Sequence, residues 1–336
     1  MEIRRLDPHD EAELARFHAI GDAAERFERP FAANWSLDEL RLELTEPDPM
    51  ERKDAVVAVD GDEVVGAGIA FSATRDNLHL SWLCPWVEPE RRRRGIGSAV
   101  LAELVSLCRA DGRTDLVMET AYPFERREDH PYRRFAEKNG FRLANTEIRR
   151  VRELPVDDVD LDALVAEAAP HHDGYRVETF EEPLPEELLE SLCAGHNRLA
   201  VDAPGGELTF EPETFTPEVW RLREEAMRKQ GRRRISTLAI TDAGEVVGYN
   251  DLVVPPQDLP NVWQWGTLVL AEHRGHRLGL AMKARGLQEL QRRVGPERSR
   301  ILTGNAEQNR YMVSINERLG FRPVEVCPEF LLRLPA

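Results

Sequence analysis

The hydrophobic pattern of this chain passes through the same succession of periods twice. Two apolar runs, Ala55 to Val59 and Glu63 to Phe71, flank Asp60-Gly61. That dipeptide supplies the positive φ of a tight hairpin turn, so the runs are expected to pair as antiparallel strands. His79 to Val87 reads as the next strand. From Ser98 to Arg109 the period lengthens, with Val100, Leu101, Leu104, Val105 and Cys108 at the spacing of an amphipathic helix. Asp115 to Thr120 is a further strand, Tyr132 to Asn139 a helix stopped by Gly140, and Phe141 to Leu154 a closing hairpin.

The second half repeats the order. Strands are expected at Ser236 to Ile240, Glu245 to Val254, Val262 to Leu270 and Arg300 to Thr303, with helices at Leu280 to Arg293 and Asn309 to Leu319 and strands to the C-terminus. Glu63 aligns with Glu245, Arg92 with Arg274 and Gly97 with Gly279 at a constant offset of 182, and Gly140-Phe141-Arg142 aligns with Gly320-Phe321-Arg322 at 180. So long a register marks an internal duplication. The segment from Pro155 through a short helical stretch to Gly174 is acidic and marked by Pro and Gly, as a linker would be. The expected organisation is a domain at 1–154, a linker at 155–173 and a second domain at 174–336. Each would be a mixed, mostly antiparallel twisted α/β sheet flanked by helices.

Composition narrows the class. The formal net charge of −16 disfavours sequence-independent binding to nucleic acid and suits a cationic small substrate. No apolar run approaches the roughly 20 residues that span a bilayer, and the first residues lack a signal-peptide core, so a cytoplasmic protein with no membrane partner is expected. Cys84, Cys108, Cys193 and Cys327 are scattered without the spacing of a zinc site, and no metal is expected.

The chemistry lies in two turns, each between an apolar strand and an amphipathic helix. The first runs from Val87 through Arg92, Arg93, Arg94, Gly95, Ile96 and Gly97 to Ser98. The second runs from Val269 through Arg274, Gly275, His276, Arg277, Leu278 and Gly279 to Leu280. Backbone N–H groups at such a turn, aided by the helix dipole, can receive a pyrophosphate. Neither a dinucleotide fingerprint nor a Gly-Lys-Ser/Thr phosphate loop is present. Coenzyme A is the expected ligand.

With Arg-x-x-Gly-x-Gly in the first turn, and Asn305-Ala306-Glu307-Gln308-Asn309 followed by Asn316 and Gly320-Phe321 in the second half, both halves resemble the GNAT superfamily of acyl-CoA-dependent N-acyltransferases, as arranged in mycothiol synthase-like tandem proteins of actinobacteria. The resemblance implies an acetyl-CoA-dependent N-acetyltransferase acting on a primary amine of a small molecule. The alternative is an acyl-CoA-binding pseudo-enzyme or sensor. It also implies that the strands ending at Val87 and Val269 splay from their neighbours, a pantetheine contact at Asn309 with Asn305 nearby, and Asn316 where a proton-donating Tyr often stands. Glu119 is the candidate general base of the first half, and Asp251 a fallback in the second. His196, Asn197 and Asp202 are candidates for the acceptor wall. A monomer of paired domains or a homodimer both fit.

Overall fold

The computed structural model describes residues 1–32, 34–256, 259–295 and 298–335. The first elements are β1 (Glu2–Arg5), α1 (Glu11–Arg26), α2 (Leu37–Thr45), β2 (Glu51–Asp60), β3 (Glu63–Ala73), β4 (Leu80–Trp86), α3 (Ile96–Ala110), β5 (Asp115–Glu119), β6 (Tyr122–Pro123), α4 (Pro131–Lys138) and β7 (Arg142–Glu153). They are followed by α5 (Asp158–Ala168), β8 (Tyr175–Glu181), α6 (Glu186–Asp202), α7 (Pro217–Lys229), β9 (Arg233–Thr241), β10 (Val246–Val254), β11 (Asn261–Val269), α8 (Leu278–Arg293), β12 (Arg300–Ala306), α9 (Arg310–Arg318) and β13 (Arg322–Arg333).

The chain forms two compact units, and neither is one continuous stretch. Unit 1 comprises Met1–Glu147, Gly206–Thr209 and the C-terminal residues from Val324; unit 2 comprises Ile148–Gly205 and Phe210–Pro323. The stretch expected as a closing hairpin, Phe141 to Leu154, is instead the single strand β7. The strand beside β5 is β13, the last of the chain, and the strand beside β12 is β7. Each half of the sequence thus gives the closing strand of the other unit's sheet. Hydrophobic alternation set the strands but could not name their partners, because any strand of the right period fits an open sheet edge.

In unit 1 the sheet order is β1-β2-β3-β4-β5-β13. Leu14, Phe17, Ile20 and Leu40 of α1 and α2 cover one face against Val57, Ala67 and Ile69. Val100, Leu101 and Leu104 of α3 cover the other against Val56, Ala58 and Leu83. Unit 2 has the order β8-β9-β10-β11-β12-β7. Leu188, Leu189, Leu192 and Trp220 of α6 and α7 pack on one face, and Ala284, Leu287 and Leu290 of α8 on the other. The expected linker supplies Val156, just before α5, and Leu161, Leu164 and Val165 of α5 to this second core.

The duplication extends to irregularities. A bulge leaves Val65 unpaired between the Gly66 and Val64 pairings in unit 1, and Val247 unpaired between Gly248 and Val246 in unit 2. Helix-to-sheet packing is met reciprocally: in unit 1 a Cβ on strand residue Gly68 would lie 3.1 Å from Leu104 of the helix, and in unit 2 a Cβ on helix residue Gly286 would lie 3.1 Å from Asn250 of the strand. One side of each contact stays small so that helix and sheet can close together.

Candidate active sites

The parallel ladder between β4 and β5 joins Leu80–Trp82 to Asp115–Val117 and ends there, although β4 continues to Trp86 and β5 to Glu119. In unit 2 the ladder joins Asn261–Gln264 of β11 to Arg300–Thr303 of β12 and likewise ends before either strand does. Each sheet therefore has two central strands that part toward the turn, leaving main-chain groups available to a ligand.

At the end of β4, Val87 leads into the first turn, where Arg93 has φ 66° and Gly95 φ 87°. After Val269 the matching positions are Gly275 at φ 89° and Arg277 at φ 54°. Gly and Arg have traded places, yet the left-handed residues fall at the same two positions. Alternation of this kind turns successive N–H groups into one concavity, so the residues present fit a pyrophosphate in both units. Ile96 and Leu278 are the first residues of the following helices, whose opening turns hold Gly97 and Ser98 in unit 1 and Gly279 and Leu280 in unit 2. The turn's leading arginines brace the backbone: Arg92 Nε donates to Val87 O at 3.2 Å and Arg274 Nε to Val269 O at 3.0 Å. Arg94 donates to Glu90 O at 3.4 Å.

The surroundings of the turns differ. In unit 2, Glu167 of α5 pairs with both Arg277 and Arg318, and His276 Nδ1 lies 3.1 Å from His171 O. Asp202 pairs with Arg274 at 3.1 Å and Arg198 at 3.2 Å. It braces the turn. Asn197 fastens the segment before α7, its Oδ1 accepting from Phe215 N at 2.7 Å. Asn309 caps α9, with its Oδ1 accepting from Met312 N at 3.3 Å.

His196 is the acceptor-wall candidate that meets other chemistry. On α6, it lies with Nε2 3.3 Å from Oδ2 of Asp251 on β10, and its ring stacks on Tyr249 at 3.9 Å between centroids. Ser236 Oγ donates to Asp251 Oδ1 at 2.6 Å. Asp251 is 1% exposed, whereas the His196 side chain keeps 17% of its surface. Burial opposes ionisation of Asp251, but His196, Arg234 and the Ser236 hydroxyl outweigh it and hold the carboxyl below its usual range. Burial lowers the His196 pKa, with Asp251 pulling in the opposite direction, so the ring is neutral at neutral pH.

The β10–β11 register places this pair. Asn250 pairs with Thr267 and Leu252 with Gln264, so Trp265 and Gly266 together oppose Asp251. This bulge lies on the parted stretch of β11. In unit 1 the same ladder runs without a break from Ala67↔Trp86 to Ser72↔Ser81, and Pro85 stands in it without an N–H to offer.

A second polar group lies on the α8 side of unit 2. Lys283 Nζ donates to Asn316 Oδ1 at 2.8 Å; Asn316 Nδ2 and Arg150 Nη1 donate to Asn305 Oδ1 at 3.1 and 3.2 Å. Lys283 is 1% exposed, and burial alone lowers its pKa to about 7. Asn305 and Asn316 were singled out from sequence; Lys283 and Arg150 were not. At the 182 and 180 offsets, Lys283 and Asn316 match Leu101 and Ala136, both ordinary core residues of unit 1.

Unit 1 has a carboxylate pair instead. Glu119 ends β5 opposite Glu329 of β13. Glu329 accepts from Asn145 Nδ2 at 2.8 Å, and burial pushes its pKa up to about 8 against that bond, helped by Glu147 and Glu119. No sequence signal linked Glu329 to Glu119, since their pairing depends on the exchanged strand. No described helix is long and apolar enough to cross a membrane.

Residues 51–143 match the acetyltransferase (GNAT) domain family, and the whole chain has the fold of tandem GNAT acetyltransferases. Among solved structures it is similar to a tandem GNAT protein of the clavulanic acid biosynthesis pathway, at 24% identity and TM-score 0.75 over 100% of this chain and 99% of that one. It is also similar to a GCN5-related N-acetyltransferase from Sphaerobacter thermophilus, at 16% and 0.65 over 99% and 95%. The third is the glucosamine N-acetyltransferase region of a fungal multi-domain β-N-acetylglucosaminidase, at 15% and 0.68 over 98% of this chain and 38% of that one. No curated protein matches by sequence, and none of these three structures carries the narrower likeness to mycothiol synthase.

Proposed function

We propose that unit 2 transfers an acetyl group from acetyl-CoA to a primary amine of a small molecule, and that the turn of unit 1 holds a second acetyl-CoA. The observation that carries this reading is the His196–Asp251 pair opposite the bulge at Trp265–Gly266, on a strand already parted from its neighbour. Asp251 holds its carboxylate 3.3 Å from His196 Nε2, and His196, neutral and partly exposed, takes the proton of the attacking amine. Main-chain N–H groups of the parted stretch meet the thioester oxygen as charge develops on it. The new nitrogen–carbon bond forms as the carbon–sulfur bond breaks. The acidic surface favours a cationic acceptor, and the amino-sugar acetyltransferase region among the structural relatives is consistent with a small amine.

A second reading places the base at Glu119 with Glu329, favoured by the raised Glu329 carboxyl beside the parting of β4 and β5. Thiol release from acetyl-CoA with a panel of amines decides between them. His196→Ala and Asp251→Asn should each lower kcat by about 10²–10⁴-fold, as expected for loss of a general base or of the carboxylate beside it. Glu119→Gln should leave kcat within about threefold. The opposite ranking moves the reaction to unit 1, and no release with any amine leaves the binding module.

A further inference from the structure

We infer that Lys283 is the proton donor to the coenzyme A thiolate released in unit 2, an inference that rests on the assignment of acetyl transfer to that unit. Lys283 is a buried ammonium whose one described partner is an amide oxygen, Asn316 Oδ1, and no described carboxylate pairs with it. A cation in such surroundings has spare donors and lacks a counter-ion, so an anion arriving nearby is stabilised strongly. Through Asn316 the lysine is tied to Asn305, which lies beyond Thr303 on the parted stretch of β12. His196 belongs to the α6 side and Lys283 to the α8 side, so the proton-accepting and proton-donating groups come from opposite faces of one sheet at the place where it opens.

The remaining charges about the network are Arg150 on β7, which donates to Asn305 and Ile148 O, and Glu307 and Glu317, which act on Arg150. None of these carboxylates contributes to the shift of Lys283, whose cause is burial alone. The amine nitrogen bonds to the acyl carbon and its proton passes to His196. The carbon–sulfur pair leaves with sulfur, and sulfur takes a proton from Lys283 Nζ. Solvent then removes the proton from His196 and returns one to Lys283. Transfer from an ammonium of pKa about 7 to a thiolate whose acid has pKa about 8.5 is downhill.

The test uses the full chain with the best amine of the panel. Lys283→Met should lower kcat about 10²-fold with little change in KM for acetyl-CoA. The wild-type kcat should fall as pH rises through about 7, because the donor must be protonated, and the variant should lose that limb. Lys283→Arg keeps the charge but releases no proton, so it should stay as slow as Lys283→Met. The pair Lys283→Leu with Asn316→Ala writes the unit 1 core, Leu101 and Ala136, into unit 2 and guards against misfolding as the cause. Binding gives a readout independent of turnover: Lys283→Met should weaken CoA relative to desulfo-CoA. Full activity in Lys283→Met, or recovery in Lys283→Arg, overturns the inference. If His196→Ala is slow while Lys283→Met is not, only this inference fails; if His196→Ala is also fully active, the assignment to unit 2 fails with it.

Discussion

Units 1 and 2 have the same sheet, the same inner bulge and the same turn geometry, but they differ in what their cores contain. Unit 1 places Ala67, Ile69, Leu101 and Ala136 where unit 2 places Tyr249, Asp251, Lys283 and Asn316. All eight are buried. The apolar set asks nothing further of its surroundings, whereas each polar member must recover what it lost in leaving water. A buried lysine without a carboxylate and a tyrosine hydroxyl without a hydrogen-bond partner among the described residues are costly features to keep. Such costs concentrate where a site needs them. The unit with the poorer match to the Gly pattern of the turn thus buries the richer set of polar side chains.

The contrast is broken most directly at the turns. Gly279→Trp should abolish turnover, because a Cβ there already comes within 3.3 Å of Ile315 and a large side chain has to displace α9 or the ligand. Gly97→Trp should leave turnover and remove one of two bound CoA molecules, as counted by calorimetry. Equal loss of turnover in both variants would erase the distinction. A smaller effect is expected at Glu167, whose carboxylate bridges Arg277 and Arg318 where an anion would bind. Glu167→Ala should tighten CoA binding to unit 2 by about three- to tenfold at low salt, and the gain should shrink as ionic strength rises. Unchanged affinity would mean that the bridge lies outside the path of the phosphates.

The smallest effect concerns stability in unit 1. The folded-state pKa of Glu329 lies near 8, above its ordinary value of 4.5, so the folded form binds the extra proton between those limits. Its contribution to stability is whole below pH 4.5 and is lost as pH rises through about 8. Glu329→Gln should therefore raise the melting temperature by a few degrees above pH 8 and leave it nearly unchanged near pH 4.5. A gain at low pH instead would reverse the assigned direction.

Much of this was readable from the chain. The duplication, the first hairpin of each half, the helices that follow the turns and both turns themselves follow from periodicity and from positive-φ residues, which are local, whereas the closing hairpin expected at Phe141 to Leu154 is a single strand. Asn305 and Asn316 followed from a resemblance, and so did His196, expected in the connection between the first helices and found within α6. The rest was hidden for specific reasons. Asp251 could be named only as a fallback, because its pairing with His196 depends on the one-residue excess of β11 opposite it. Lys283 lies inside an amphipathic helix, where a long cation commonly reaches solvent along its stem. Position-by-position comparison of the halves would have exposed it, since Leu101 is its counterpart. Glu329 could not be joined to Glu119 until the strand exchange was seen.

That exchange also fixes an order of events during synthesis. β5, which ends at Glu119, waits for β13, which begins at Arg322 and leaves the ribosome after every other strand, so unit 1 stays open at one edge while about 200 further residues are made. At roughly 5–20 residues per second this lasts on the order of 10 to 40 s. An uncovered edge of that kind invites pairing with other chains. A chain ending at Leu154 would lack β13, so the first half of this duplicated sequence, however complete its turn, does not carry the strand that covers β5.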